Sequence, residues 1–283
     1  MAKGNLFLGT AAKSVGDVVM YRREGSQVSR VRVRKIANPK TDAQCKQRAI
    51  MAAVVKFYQP LADTLERSWQ GMSTAKSYAK FLKANASIGR AGGYLLPKGS
   101  GLLPFPYKLS DGTLPVVDTV VTNSTPKIGL TGLTDEAQSF ETVGELSAAF
   151  VAGGYAAGDI VTIIVVGKTE AEEYLPLVGQ FEIDTTSAVS LTTALKGFTD
   201  FESPVDSSYI QVSTNQQESV ALACIISRPK DGSWLRSSAI LAVDSVDLAS
   251  HTTDAAKTAA IESYKGAAAS DNPLVYLDGD ELQ

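Results

Sequence analysis

Three arginines alternate along one short segment of the chain, at Arg30, Arg32 and Arg34. Residues two apart on a β-strand share a face and lie about 6.6–6.8 Å from each other. This spacing is comparable with the distance between phosphates along an extended single strand, so each guanidinium can meet one phosphate. The pattern therefore indicates a face that binds polyanions through charge and does not predict recognition of particular bases.

Neighbouring residues extend this candidate nucleic-acid site. Tyr21 offers a ring on which a base can stack. The other candidates are all cations, namely Arg22, Arg23, Lys35, Lys40, Lys46 and Arg48. An ordinary solvated strand face, or a face that pairs with acidic groups of a neighbouring subunit, is an alternative interpretation that the sequence leaves open.

A β-hairpin is the element that would position these groups. Residues 18–23 and 27–34 flank the turn formed by Glu24, Gly25 and Ser26, which is typical of a hairpin. Alternation along the second strand places Val31 and Val33 on the face opposite the arginines. We expect the valine face to pack and the arginine face to be open.

Two helices are predicted after the hairpin. Thr41 has the form of an N-cap residue, so the first helix begins near Asp42. Pro60 interrupts its apolar stripe, and we expect a kink or a new helix start there. A second helix beginning at Ser73 carries three lysines at helical spacing on one side, which are Lys76, Lys80 and Lys83.

The rest of the chain is rich in short β segments that are separated by turn residues. They lie near residues 116–121, 127–130, 160–166, 180–183, 209–213, 220–227 and 234–243. Such a series is typical of an antiparallel, Ig-like β-sandwich. Residues 145–151 fit a short helix or a further strand, and residues 254–264 fit a helix ahead of an acidic end.

The predicted fold class is α+β. It comprises an N-terminal β-hairpin plus helices, a C-terminal antiparallel β-sandwich and a partly helical tail. The predicted boundaries are 1–88 for the basic module, 89–115 for a Gly/Pro-rich linker arm, 116–244 for the sandwich and 245–283 for the tail.

Charge is divided unevenly along the sequence. Residues 1–108 hold 19 Lys and Arg against 5 Asp and Glu, whereas residues 109–283 hold 8 against 25. Such asymmetry points to contact between the basic part and nucleic acid, or to attraction between oppositely charged subunits.

Several classes of function are disfavoured by the composition. The single histidine, His251, excludes zinc sites with two or more histidine ligands, and no catalytic motif accompanies it. Two distant cysteines do not make a disulfide framework. The segment Gly167-Lys168-Thr169 lacks the earlier glycine of a phosphate-binding loop. We therefore expect no enzyme activity, no cofactor and no metal.

No membrane segment or export signal is predicted. The longest apolar stretch, over residues 160–166, is far short of the ~20 residues that a membrane helix needs. The N-terminus has no apolar stretch of the length found in signal peptides, so a cytoplasm is the expected place of synthesis.

Several segments of the basic part resemble a known family. The resemblance is carried by residues 4–9 (GNLFLG), 15–19 (VGDVV) and 38–44 (NPKTDAQ), together with Gln47 and Arg48. It is a resemblance to a family of small basic proteins of phages and prophages of gut Bacteroidota. Short members occur in microviruses and are described as single-stranded DNA-binding proteins. Longer members add a β-rich domain, which residues 107–114 and 231–241 resemble.

The resemblance implies a bacteriophage setting. The expected function is that of a non-enzymatic virion structural protein whose acidic sandwich assembles with other phage subunits. The chain is also expected to form a homo-oligomer. The basic module would contact single-stranded DNA or acidic neighbouring subunits. The alternative is a free single-stranded DNA-binding accessory protein in the infected cell. The expected location is the host cytoplasm during assembly and then the virion.

Overall fold

The structure is a computed structural model that describes residues 13–15, 18–23, 26–31, 40–133, 136–205 and 207–265. The chain divides into two compact units, residues 1–40 with 266–283 and residues 41–265. The described strands of the first unit are β1 (Lys13–Val15), β2 (Val18–Arg23) and β3 (Ser26–Val31). They form an antiparallel sheet in the order β1-β2-β3, and β2 with β3 is the predicted hairpin.

The packing of the hairpin differs from the prediction at Val31. The register aligns Val19 with Arg30 and Val18 with Val31. We expected the valine face to pack, but Val31 is 74% exposed and Arg30 is exposed as well. A single sheet leaves both faces open unless another layer covers it. None of the described residues of this unit forms such a layer over Val31.

The second unit begins and ends with helices, and its strands lie mostly between them in sequence. The helices are α1 (Asp42–Tyr58), α2 (Ala62–Leu65), α3 (Thr74–Gly92), α4 (Val143–Ala152), α5 (Leu191–Ala194), α6 (Ser245–Thr252) and α7 (Asp254–Lys265). The strands are β4 (Lys108–Ser110), β5 (Asp118–Thr122), β6 (Thr125–Gly129), β7 (Gln138–Ser139), β8 (Ile160–Lys168), β9 (Tyr174–Glu182), β10 (Phe198–Ser203), β11 (Tyr209–Thr214), β12 (Glu218–Lys230), β13 (Ser233–Arg236), β14 (Ala239–Ile240) and β15 (Ala242–Val243). The predicted α+β class is confirmed.

Local sequence signals set the ends of the first helices. The Thr41 hydroxyl accepts a hydrogen bond from the Gln44 backbone N–H at the start of α1. Pro60 lies in a 3₁₀ turn, Gln59–Leu61, that separates α1 from α2. Helix α3 ends at Gly93, whose φ of +66° is accessible to glycine at little cost.

Two antiparallel sheets pack face to face. One has the strand order β5-β6-β11-β10-β7, and the other, here called the central sheet, has the order β13-β12-β8-β9. Residues from both sheets and from α4 share one hydrophobic core, including Ile128, Phe150, Ile163, Phe201 and Leu222. The ambiguous segment 145–151 is part of helix α4, which begins with a capping box between Thr142 and Glu145.

The central sheet is buried on both faces. Along β8, Ile163 and Val165 contact the core between the sheets, whereas Ile164 and Val166 contact a second core beneath the helices. Side chains that alternate along a strand point to opposite faces, so one strand serves two cores. The second unit therefore has three layers, with α1, α2 and α3 on one side of the central sheet and the other sheet, together with α4, on the opposite side.

The segment predicted to be a linker arm, residues 89–115, belongs to the second core. Its apolar side chains Leu95, Leu96, Leu102, Phe105, Tyr107 and Leu109 are buried. The glycines and prolines of this segment predict an extended arm, and that prediction is wrong for these residues. These residues do interrupt regular structure, but the aromatic and leucine side chains between them bury apolar surface.

The C-terminal helices also pack onto this unit. Ala260, Ile261 and Tyr264 of α7 contact Ala49 and Ile50 of α1. The predicted tail is thus helical through residue 265 and is docked on α1 over its described part. In the described part of the chain, no helix combines the length and apolarity that crossing a bilayer would require.

Candidate nucleic-acid interface

The structure describes only one of the three alternating arginines Arg30, Arg32 and Arg34 that the sequence places on one strand face. Arg30 is exposed on β3, whereas Arg32, Arg34 and Lys35 lie outside the described residues. Tyr21, Arg22 and Arg23 are described at the level of the β2 backbone only. Tyr21 pairs with Val28, two positions along from the Val19–Arg30 pair, so the register assigns Tyr21 and Arg30 to the same face of the hairpin.

The remaining predicted cations flank the start of α1. Lys40 is half-buried and has a φ of +47°, an unusual backbone conformation for a residue with a side chain. Lys46 and Arg48 are exposed on α1. Because Lys40 belongs to the first compact unit and the other two to the second, the predicted residues do not form a single cluster within one unit.

A continuous cationic row lies on α3 and was not among the predicted site residues. Lys76, Lys80, Lys83 and Arg90 are all exposed, and the helix contains no Asp or Glu. Their spacing of four, three and seven residues keeps them on one face over about 21 Å of helix. We call these four residues the α3 row. The opposite face, including Phe81 and Asn85, is buried.

The sequence contained the signal for the α3 row. Lys76, Lys80 and Lys83 have helical spacing in the sequence, although the predicted site contains only cations of the hairpin and the start of α1. Arg90, one heptad after Lys83, extends the row by two turns. Arg90 falls within the segment predicted as a linker, where three glycines obscure the helical periodicity.

Trp69 lies beside the α3 row, next to Lys80. The Lys80 and Lys108 ammonium groups lie 5.8 and 5.4 Å from the centre of its ring. Lys108 also makes an ion pair with Asp111 at 3.0 Å, which lowers the pKa of that carboxyl group. Lys76 and Lys83, in contrast, have no ion-pair partner among the described residues.

The layers of the second unit differ in charge. Residues 41–108, which form α1 to α3 and the segment after them, hold 10 Lys and Arg against 3 Asp and Glu. Residues 109–244, which include the strands of both sheets, hold 6 against 18. Residues 245–265, which form α6 and α7 on the helical side, hold 2 against 3. The helical side of the central sheet is therefore the more basic side of this unit.

A second arrangement involves the histidine. His251 lines a cleft of about 630 Å³ together with Tyr174 and Asp247. The Tyr174 hydroxyl lies 2.8 Å from both the Asp247 carboxylate and the His251 Nε2 atom. Burial, and then the bond to Asp247, raises the pKa of Tyr174, so the phenol keeps its proton at neutral pH.

The hydrogen bonds of this cluster define its role. A phenol has one proton to donate. If Tyr174 donates it to Asp247, then His251 must donate from Nε2 to the Tyr174 oxygen. The three side chains thereby join α6 to β9. No metal-binding cluster is found in the described part of the chain, where the side chains of Cys45 and Cys224 are both buried.

Comparison with known proteins gives one similarity. A family model described as a family of unknown function (DUF6266) matches residues 10–90, which is less than a third of the chain and runs from the hairpin through most of α3. No curated protein and no solved structure matches. The matched residues include nearly all of the basic positions discussed above.

Proposed function

We propose that this chain is a non-enzymatic structural protein of a bacteriophage particle and that its basic helical side binds nucleic acid. The α3 row is the observation that carries the nucleic-acid part of the proposal. The phage setting rests on the resemblance of residues 4–85 to the phage family described above. In this proposal, the protein assembles in the host cytoplasm, is then part of the virion, and has other phage subunits as partners.

The α3 row suits a polyanion because none of its four cations forms an ion pair among the described residues. Asp111, a carboxylate whose pKa the charge of Lys80 helps to lower, is paired with Lys108 instead. Four cations lie along about 21 Å of exposed helix, and the helix carries no carboxylate. Between them lie the small exposed residues Ala79 and Ser87, which allow a strand to approach the helix closely. Contacts of this kind reach the phosphate backbone and not the base edges, so we expect binding without sequence preference.

A subunit–subunit contact is the second candidate function for the basic side. Asp200 and Glu202 neighbour each other on β10, and their proximity raises the pKa of Glu202. Two adjacent carboxyl groups on an outer sheet favour a cationic partner. The basic helices of another copy could supply one, which would join subunits head to tail.

Salt-dependent binding tests the nucleic-acid function. The full chain should bind a fluorescein-labelled single-stranded oligonucleotide, with affinity that falls steeply as salt rises. In the double variant Lys76→Gln/Lys83→Gln, the slope of log K against log salt should fall by about 1.4, because each lost phosphate contact removes about 0.7 for a single strand. Fluorescence anisotropy at four salt concentrations measures the slope.

The matched control removes two exposed cations from the sheet layers, Lys196→Gln/Lys230→Gln. It has the same change in net charge, and its slope should stay close to that of the unmodified chain. A weak, salt-independent interaction, or an equal loss in both double variants, would contradict binding through the α3 row. Head-to-tail association of the unmodified chain without oligonucleotide binding would favour the subunit contact.

A further inference from the structure

A small polar pocket lies where α2 meets the central sheet. Its volume is about 150 Å³, which is ample for a small ion or several water molecules. The lining includes the hydroxyl groups of Thr64, Thr162 and Ser227, the Gln180 amide and the Arg236 guanidinium. None of the lining residues is acidic.

The Arg236 guanidinium has no anionic partner in the described part of the chain. Its Nε donates to the Arg67 backbone carbonyl at 3.2 Å, and its Cζ atom lies 5.0 Å from the centre of the Trp234 ring. Burial, followed by the charge of Arg67, lowers the pKa of Arg236. Two guanidinium groups therefore lie near each other without a carboxylate to balance them.

The buried carboxylate next to a pocket residue in sequence is already neutralised. Asp159 precedes the pocket residue Ile160 and is almost fully buried. Both of its oxygens accept hydrogen bonds from Arg228, at 2.6 and 2.7 Å. This bidentate pair already balances the charge of Asp159, and no ion pair joins Asp159 to Arg236 among the described residues.

We propose that the pocket beside Arg236 binds a tetrahedral oxyanion of the phosphate class. The guanidinium would supply charge-assisted hydrogen bonds, and the surrounding hydroxyl groups would donate to the remaining oxygens. Thr64 and Ser227 are suited to this because their hydroxyl groups make no hydrogen bond within the described residues. The Trp234 ring, which also lines the pocket, makes a cation–π contact with the guanidinium.

The bound group has two sources. It is either a free anion or one phosphate of a strand that lies on the basic side. Gln70 connects the two areas, because it follows Trp69 in sequence and its side-chain oxygen accepts from the Arg236 backbone N–H at 3.2 Å. The free-anion source stands on the pocket alone, whereas the strand source rests on the proposed function.

Calorimetric titration of the full chain with sodium phosphate, at an ionic strength held constant with sodium chloride, tests the pocket. The unmodified chain should bind phosphate, and Arg236→Met should weaken binding about tenfold or more, because it removes a charge-assisted partner. Lys230→Gln removes a cation from the same β12–β13 hairpin without lining the pocket, and it should change the affinity less than twofold.

Further arms separate the outcomes. Thr64→Val removes one pocket hydroxyl at the surface of α2 and should weaken phosphate binding even if Arg236→Met does not fold. Competition by an oligonucleotide would assign the bound group to a strand, and absence of competition would assign it to a free anion; both support the pocket. Phosphate binding that equals chloride binding, or that is unchanged in both variants, would overturn it. The oligonucleotide affinity of Lys76→Gln/Lys83→Gln tests the proposed function separately.

Discussion

Tyr155 shows how a buried phenol ties the stability of the protein to pH. Its side chain is 8% exposed, and its hydroxyl donates a long hydrogen bond of 3.4 Å to the Val116 carbonyl. Burial, with a further contribution from Cys224, raises the pKa of Tyr155 to about 12. The unfolded chain would lose this proton near pH 10.

The sign of the pH effect follows from that difference. Between pH 10 and 12 the folded state keeps a proton that the unfolded state has released, so the free energy of unfolding falls as pH rises. The contribution of Tyr155 is at most about 1.4 kcal/mol per pH unit. Tyr155→Phe should therefore show a shallower fall, measured by urea unfolding at several pH values from 7 to 11.5. Parallel curves for the two proteins would contradict this prediction.

Sequence reasoning at the residue scale succeeded where the signal was local. Thr41 was predicted as an N-cap and Pro60 as a break, because each acts on backbone groups within a few positions. The partners of Arg236 and Tyr174 could not be predicted. They come from segments more than 70 residues away, and only the folded chain brings them together.

At the scale of elements, Asn85 connects α3 to the segment that follows it. This fully buried amide accepts from the Lys108 backbone N–H at 2.7 Å and donates to the Lys108 carbonyl at 2.9 Å. One side chain thus provides both hydrogen bonds that a neighbouring strand would otherwise offer to β4. The helix that carries the α3 row is held to the sheet layer through this contact.

Replacing Asn85 should weaken the joint between α3 and β4. In Asn85→Leu the Lys108 backbone groups lose both partners in a partly buried place, so we expect a loss of about 2–3 kcal/mol in the free energy of unfolding. Ser87→Ala, on the exposed face of the same helix, should change it by less than about 0.5 kcal/mol. Urea unfolding measures both free energies. A loss below about 0.5 kcal/mol for Asn85→Leu would contradict a stabilising role for the hydrogen bonds between Asn85 and Lys108.

The composition of residues 89–115 explains why the predicted linker is instead part of a core. Glycine and proline report where helices and strands stop, and they do not report exposure. In residues 89–115 they alternate with leucine and aromatic side chains, so the chain is irregular and buried at once. Phe105 and Tyr107, for example, contact aromatic neighbours on α1 and near the end of α3.

At the scale of the whole molecule, the α+β class and the antiparallel sheets were predictable because short β segments and two helices have clear periods. The three-layer arrangement was not. The apolar run over residues 160–166 fits a strand buried on both faces, but a sequence does not say which elements cover each face. The helices were therefore assigned to a separate module, whereas they cover the second face of β8.

The shared sheet makes the second unit a single cooperative structure. Because β8 and β12 contribute to both cores, loss of either core exposes apolar surface of the other. We expect one calorimetric transition for residues 41–265, with equal calorimetric and van't Hoff enthalpies. Two resolved transitions assigned to the helical and sheet layers would contradict this expectation. A fragment that ends at residue 108 would keep the α3 row but lose the sheet beneath it.

The two tryptophans of the chain each lie beneath cationic groups. Trp69 is next to the Lys80 and Lys108 ammonium groups, and Trp234 is next to the Arg236 guanidinium. With no further tryptophan in the sequence, the intrinsic emission of the protein comes from these two indoles alone. An anion that approaches either place changes the electric field across an indole ring. The protein thus carries its own optical reporters, one beside the α3 row and one at the Arg236 pocket, and needs no attached dye.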